Sequence, residues 1–156
     1  MEKFIGTKII EAEPAYRVDG KTVQPTTWPV PEGAKAEEGY AVRYPDGYMS
    51  WSPKDVFEEA YRRTDNLTFG LAIEAAKKGA KITRLGWNGK GMWVVYRTGY
   101  PEGIPCNENT AKAVGIPEGS LFKVRPYLQM KCVDGSFQMW LASQSDILAD
   151  DWAIVE

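Results

Sequence analysis

Two short stretches hold the side chains best suited to recognition chemistry. The first, "GWNGKGMW" at residues 86 to 93, sets Trp87, Asn88 and Lys90 among three glycines. A tryptophan beside a glycine-rich turn offers a flat apolar face, and glycines let a ligand approach the backbone closely. Asn88 both donates and accepts hydrogen bonds, and Lys90 would meet an anionic group. A base stacked on an aromatic ring gains about 1–3 kcal/mol, enough to dominate the affinity of a small nucleotide. The same residues also suit an ordinary Asn-Gly hairpin with Trp87 packed and Lys90 solvated, and taken alone they favour that plainer reading. The second stretch, "WLASQSD" from Trp140 to Asp146, places hydroxyls, an amide and a carboxylate between a strand and a helix. Free backbone N–H groups at such a helix start attract anions and polar ligand edges. Ser143 or Ser145 would equally serve as a simple N-cap, with Asp146 a first-turn charge.

Catalysis finds little support in the inventory. The chain has no histidine, so the commonest general base and commonest metal ligand are missing. Asp146, Asp150 and Asp151 are the acids closest to pairing, but Asp150 and Asp151 are adjacent and in a strand would point to opposite faces. No phosphate loop, nucleophile elbow or catalytic spacing occurs. Cys106 and Cys132 form no short motif and read as reduced thiols, too few for a disulfide framework or an ordinary zinc site. The expectation is therefore no catalytic residue, no metal and no cofactor.

The elements that must position these residues fall into two parts. Residues 1 to 65 carry Pro14, Pro25, Pro29, Pro31, Pro45 and Pro53, which argue for short elements. A strand over 3–16 ended by Pro14 is expected, then a loop-rich extended connection over 22–38. A hairpin around Pro45-Asp46-Gly47 follows, and a helix with Ser52 at its N-cap and Pro53 at its first position. In residues 66 to 156, Thr68 suits the N-cap of a helix whose Phe69, Ala72, Ile73 and Ala76 share a face, stopped at Gly79. A strand-turn-strand unit over 80–96 turns at Asn88-Gly89, though Gly86 and Gly91 allow a longer loop. In it Val94 and Tyr96 face one side while Trp93 and Val95 face the other, with Trp93 read as core or subunit interface. Residues 97–126 look irregular apart from a short helix over "NTAKAV" stopped at Gly115. A hairpin around Asp134-Gly135, a short helix after Ser143 and a closing strand over 152–156 complete the chain. This pattern predicts an α+β fold, largely antiparallel sheet with β-hairpins and a few short helices.

Composition sets outer bounds. At 156 residues, 44% hydrophobic and 26% charged, the chain can bury a real core. No apolar run is long enough for a bilayer and "MEKFIGTKII" lacks a secretory pattern, so the expected location is the cytoplasm, with no membrane partner. Six basic residues and no acid lie between Ala75 and Pro101, while five acids and no base follow Lys131. That basic segment is too small for a nucleic-acid polymer but suits a small anion; otherwise the two segments pair with each other or face solvent.

Three ordered blocks carry a more specific signal. They are G-W-N-G-K-G-M, D-G-x-x-x-x-W-L-A-S-Q-x-D and the closing A-x-D-W. Together they resemble the second family of phage Thoeris anti-defence proteins, over about residues 66 to 156. The resemblance implies a non-enzymatic sponge that sequesters cyclic ADP-ribose isomers, some members also holding cyclic dinucleotides at separate sites. It implies a homo-oligomer, typically a tetramer, with pockets between subunits. By the same resemblance Trp87 and Trp140 would stack on the base, while Asn88, Ser143, Gln144 and Asp146 would bond ribose or base edges. Arg84 and Lys90 are electrostatic candidates for the pyrophosphate. Residues 1–65, including "PDGYMSWSPKDVFEEAY", look like a segment that opens several phage accessory proteins and carry no assigned role. The alternative is a phage accessory protein–protein interaction module.

Overall fold

The structure is a computed structural model that describes residues 1–155. The chain forms two compact units, one over residues 1–63 and the other from Thr64 onward. The fold is α+β and mostly antiparallel sheet, as the alternation and turn signals predict.

In the first unit, β1 (Glu11–Val18), β2 (Thr22–Pro25), β3 (Ala36–Arg43) and β4 (Met49–Pro53) form a sheet in the order β2-β1-β3-β4. The Pro45-Asp46-Gly47 turn joins β3 to β4 as expected, with Gly47 at φ 84°. Three expectations fail here. Pro14 does not end the first strand: β1 starts at Glu11 and runs through it, pairing Pro14 with Tyr40. β2 reaches only as far as Ala15, so one edge of β1 is open at the proline and its missing N–H breaks no bond on that side. Thr22–Pro25, expected as loop, is a strand because it pairs with the second half of β1. Ser52 is also not a cap. It lies in β4 opposite Tyr40, and α1 (Lys54–Ala60) starts after Pro53 without a side-chain cap. A stack of Tyr40 on Phe57, with centroids 4.1 Å apart, and of Phe57 on Tyr61 at 4.8 Å binds α1 to the sheet.

In the second unit, α2 (Phe69–Lys77) is capped by Thr68, whose hydroxyl accepts from the Leu71 N–H at 3.4 Å. It covers one face of a sheet in the order β10-β9-β6-β5-β11, built from β5 (Lys81–Arg84), β6 (Trp93–Arg97), β9 (Tyr127–Lys131), β10 (Phe137–Met139) and β11 (Trp152–Val155). The core between them holds Leu67, Ala72, Ala75, Ala76, Ile82, Val94, Met130 and Trp152. Three alanines on the inner face of α2 let the helix sit close to the sheet, and the large Trp152 fills the remaining space. Trp93 is not core: Val94 takes the inner side, and Trp93 lies on the opposite face against Phe137, centroids 5.8 Å apart.

The region read as irregular contains a two-stranded ribbon, β7 (Tyr100–Pro105) with β8 (Leu121–Val124), and α3 (Glu108–Val114) between them. Asn107 caps α3 and Gly115 ends it in the left-handed region at φ 73°, the stop expected from sequence. The closing strand is Trp152–Val155; Glu156, included in the expected strand, lies outside the described residues. Among the described residues no helix is long and apolar enough to cross a membrane.

Candidate functional site

The two recognition stretches meet at one corner of the second unit. The β5–β6 connection is not a two-residue Asn-Gly turn. Ile82 pairs with Val94, leaving residues 85 to 92 as a broad loop that carries Trp87, Asn88 and Lys90. Across from it, Trp140 follows β10 with its N–H donating to the Leu128 carbonyl at 2.9 Å. Ser143 caps α4 (Gln144–Ile147) in a full capping box: its hydroxyl accepts from the Asp146 N–H, and its own N–H donates to the Asp146 carboxylate at 3.1 Å.

Asp146 is the hub. Besides the Ser143 N–H, its carboxylate accepts from the Ser143 hydroxyl at 2.7 Å, from Arg84 Nη1 at 2.9 Å and from Trp87 Nε1 at 3.1 Å. Its backbone carbonyl takes the Trp152 indole N–H at 2.8 Å. Arg84, at the end of β5, also reaches Asp151 at 2.8 Å, and its side chain is 19% exposed against 12% for Asp146. The basic segment and the acidic tail therefore do pair, at this corner. Burial alone would raise the Asp146 carboxyl, but hydrogen bonds from Arg84, Ser143 and Trp87 overcome it and lower the pKa from 3.8 to about 2. The Arg84 bond likewise holds Asp151 below the ordinary carboxylate range, and Asp151 and then Asp146 raise Arg84.

Asp151 also fastens the loop itself. Its carboxylate accepts from the Gly86 N–H at 2.7 Å and its carbonyl from the Leu85 N–H at 3.0 Å. A Cβ at position 86 would stand 2.6 Å from that carboxylate oxygen, so glycine is needed for the close approach. With the loop pinned, the Trp87 ring stands edge-to-face against Trp140 at 5.9 Å and against Trp152 at 5.4 Å. Phe69 and Trp152 close the cluster from the core side, 5.3 Å apart.

Arg84, Trp87, Trp140, Ser143 and Asp146 are thus joined in one bonded and packed constellation. Asn88, Lys90 and Gln144 are exposed and make no side-chain bond to it or to anything else among the described residues. Sequence reasoning missed Asp151 and Trp152 as parts of the site, although both stand in the A-x-D-W block. Their signal was their place in an ordered set of blocks, since no local spacing links residue 151 to residue 84.

The sequence pattern of the Thoeris anti-defense 2-like domain, Tad2-like, matches residues 67–155. Thoeris anti-defense 2 of Bacillus phage SP01 is 30% identical to the chain over 92 residues, which is 57% of this chain and 94% of that phage protein. Residues before 67 lie outside the family match. Trp87, Trp140, Asp146 and the Asp151-Trp152 pair all fall inside it, and the chain belongs to the Thoeris anti-defense 2-like family of phage anti-defence proteins.

Proposed function

We propose that the second unit captures a cyclic ADP-ribose-type signal and holds it without cleaving it, in the cytoplasm of the infected host. The observation that carries this reading is the locked aromatic corner: Trp87 and Trp140 are half-buried, tied to the core through Trp152, and oriented before any ligand arrives. A preorganised ring pair loses little freedom on binding, so stacking of a base, about 1–3 kcal/mol, goes into affinity. Exposed Asn88, Gln144 and Lys90 supply amide groups and a cation for ribose and pyrophosphate. Arg84 contributes by fixing Asp146 and Asp151 in place.

The electrostatics favour binding over chemistry. Asp146 titrates at about 2 and Asp151 is held low, so both are ionised and already bonded at neutral pH, and neither is poised to donate a proton. The surface beside the corner is apolar: Leu85, Leu141 and Leu148 are 64%, 92% and 74% exposed. Such a patch fits burial against a second copy, so that a homotetramer would close the pocket between subunits.

The test is isothermal titration of the whole protein against a panel of cyclic ADP-ribose isomers and cyclic dinucleotides, with the oligomer's mass measured in parallel. Tight binding of at least one cyclic ADP-ribose isomer is expected, with unchanged ligand recovered after heating. Binding by none of them, or recovery of a hydrolysed product, overturns the reading.

A further inference from the structure

The first unit holds a second built feature, on the sheet face away from α1. Strand alternation puts Glu13 and Ala15 of β1 on that face, with Ala41 of β3 opposite Glu13 and Trp51 of β4 opposite Ala41. Because Ala15 and Ala41 are small, the face sinks into an open cavity of about 400 Å³ walled by Val23, Met49 and Trp51. The Trp51 ring is fixed: it lies over Gly39, and the Arg17 guanidinium stacks on it 4.0 Å from the ring centroid. Arg17 is in turn held by Glu37 at 2.6 Å.

The charge at the cavity is unbalanced. Glu11 pairs with Arg43, Glu37 with Arg17, and Glu38 with Lys54, but Glu13 has no partner among the described residues. An apolar cavity with one uncommitted carboxylate fits an apolar side chain next to a cation.

The chain carries a segment of that chemistry. Ahead of β1, Lys3 and Ile5 are two residues apart and share a side when extended, and Ile5 is 96% exposed. The segment does not turn back over its own cavity. Ile9 and Ile10 run on past the end of β3 beside Tyr44 and Pro45, and the Lys8 ammonium sits 5.2 Å from the Tyr44 ring centroid.

We propose that the cavity beside Trp51 receives the segment ahead of β1 from a second copy of the chain, with Ile5 on the Ala15–Ala41 floor and Lys3 paired with Glu13. Exchanged in both directions, the contact is self-complementary and links copies through their first units. It is independent of the nucleotide reading, because every residue in it precedes the Tad2-like match.

The experiment uses the chain lacking residues 2–7, otherwise whole, titrated with a fluorescent peptide of residues 1–8. Saturable binding is expected. Ile5→Ser in the peptide should weaken it about tenfold, the loss from exposing one large aliphatic side chain. Glu13→Gln in the protein should weaken it about fivefold, as for a partly exposed ion pair. Ala41→Leu fills the floor and should abolish binding while the first unit keeps a cooperative urea unfolding transition followed by Trp51 emission, which shows that the variant folds. In the intact chain carrying Cys132→Ser, mixing an Ile5→Cys variant with a Met49→Cys variant should give a mixed disulfide-linked dimer. No saturable binding, indifference to Ala41→Leu, or absence of the mixed dimer overturns the proposal.

Discussion

Replacing Asp146 by asparagine tests how the site is held together. The carboxylate collects bonds from Arg84, Trp87 and Ser143, and its pKa falls from 3.8 to about 2 on folding. At about 1.4 kcal/mol per pH unit, that difference contributes roughly 2 kcal/mol of stability at neutral pH. Because the folded-state pKa is the lower one, the stabilisation is complete above about pH 4 and is lost as pH falls through about 2. Asp151 acts in the same direction and deepens the acid loss. Asparagine keeps the shape and one acceptor oxygen but no charge, so Arg84 keeps only Asp151 as an ionic partner. Asp146→Asn should therefore lower stability at neutral pH by roughly 2–3 kcal/mol and flatten the acid limb. The assay is urea unfolding from about pH 7 down to about pH 2, followed by tryptophan emission. With Trp28→Phe and Trp51→Phe as background, the remaining tryptophans, Trp87, Trp93, Trp140 and Trp152, all report the second unit. Native-like stability at neutral pH together with an unchanged acid limb in Asp146→Asn would refute the hub assignment.

Other substitutions separate binding from folding. Asn88→Ala and Gln144→Ala should each weaken capture of a cyclic ADP-ribose isomer about tenfold in titration, with the unfolding midpoint unchanged because neither side chain is bonded among the described residues. Gly39→Ala places a Cβ 2.5 Å from Trp51 Cζ2 and against the Ser52 carbonyl, so the first unit should lose about 2 kcal/mol or more in denaturant unfolding followed by Trp51 emission. Thr68→Ala removes the acceptor for the Leu71 N–H and should cost the second unit about 1 kcal/mol, read as a lower midpoint at unchanged slope.

Local signals in the sequence reached the parts of this protein that are governed by local physics. Thr68 and Asn107 are acceptors at helix starts, Gly115 tolerates a left-handed stop, and the Asp-Gly turns set two hairpins; each acts within a few residues. Alternation put Val94 and Trp93 on opposite faces for the same reason, though which face is inward, and that Trp93 is not core, came from the packing. The failures share a cause as well. Pro14 is tolerated in β1 because β2 ends one residue short of it, Ser52 is taken by strand pairing, and Thr22–Pro25 and the β7–β8 ribbon form only by pairing with partner strands. The tertiary fold alone decided the chemistry of the site. Trp87 was legible as a stacking candidate; the fold adds that the ring is half-buried and that its N–H belongs to Asp146. Arg84 was legible as a cation; that it pairs with Asp146 and Asp151, 62 and 67 residues further along, was not. The sequence by itself determined the family, through blocks kept in order, and the turns and caps that shape each element. Which side chains face a ligand and which hold the wall in place depended on contacts between β5, α4 and the start of β11, and no local spacing encodes those.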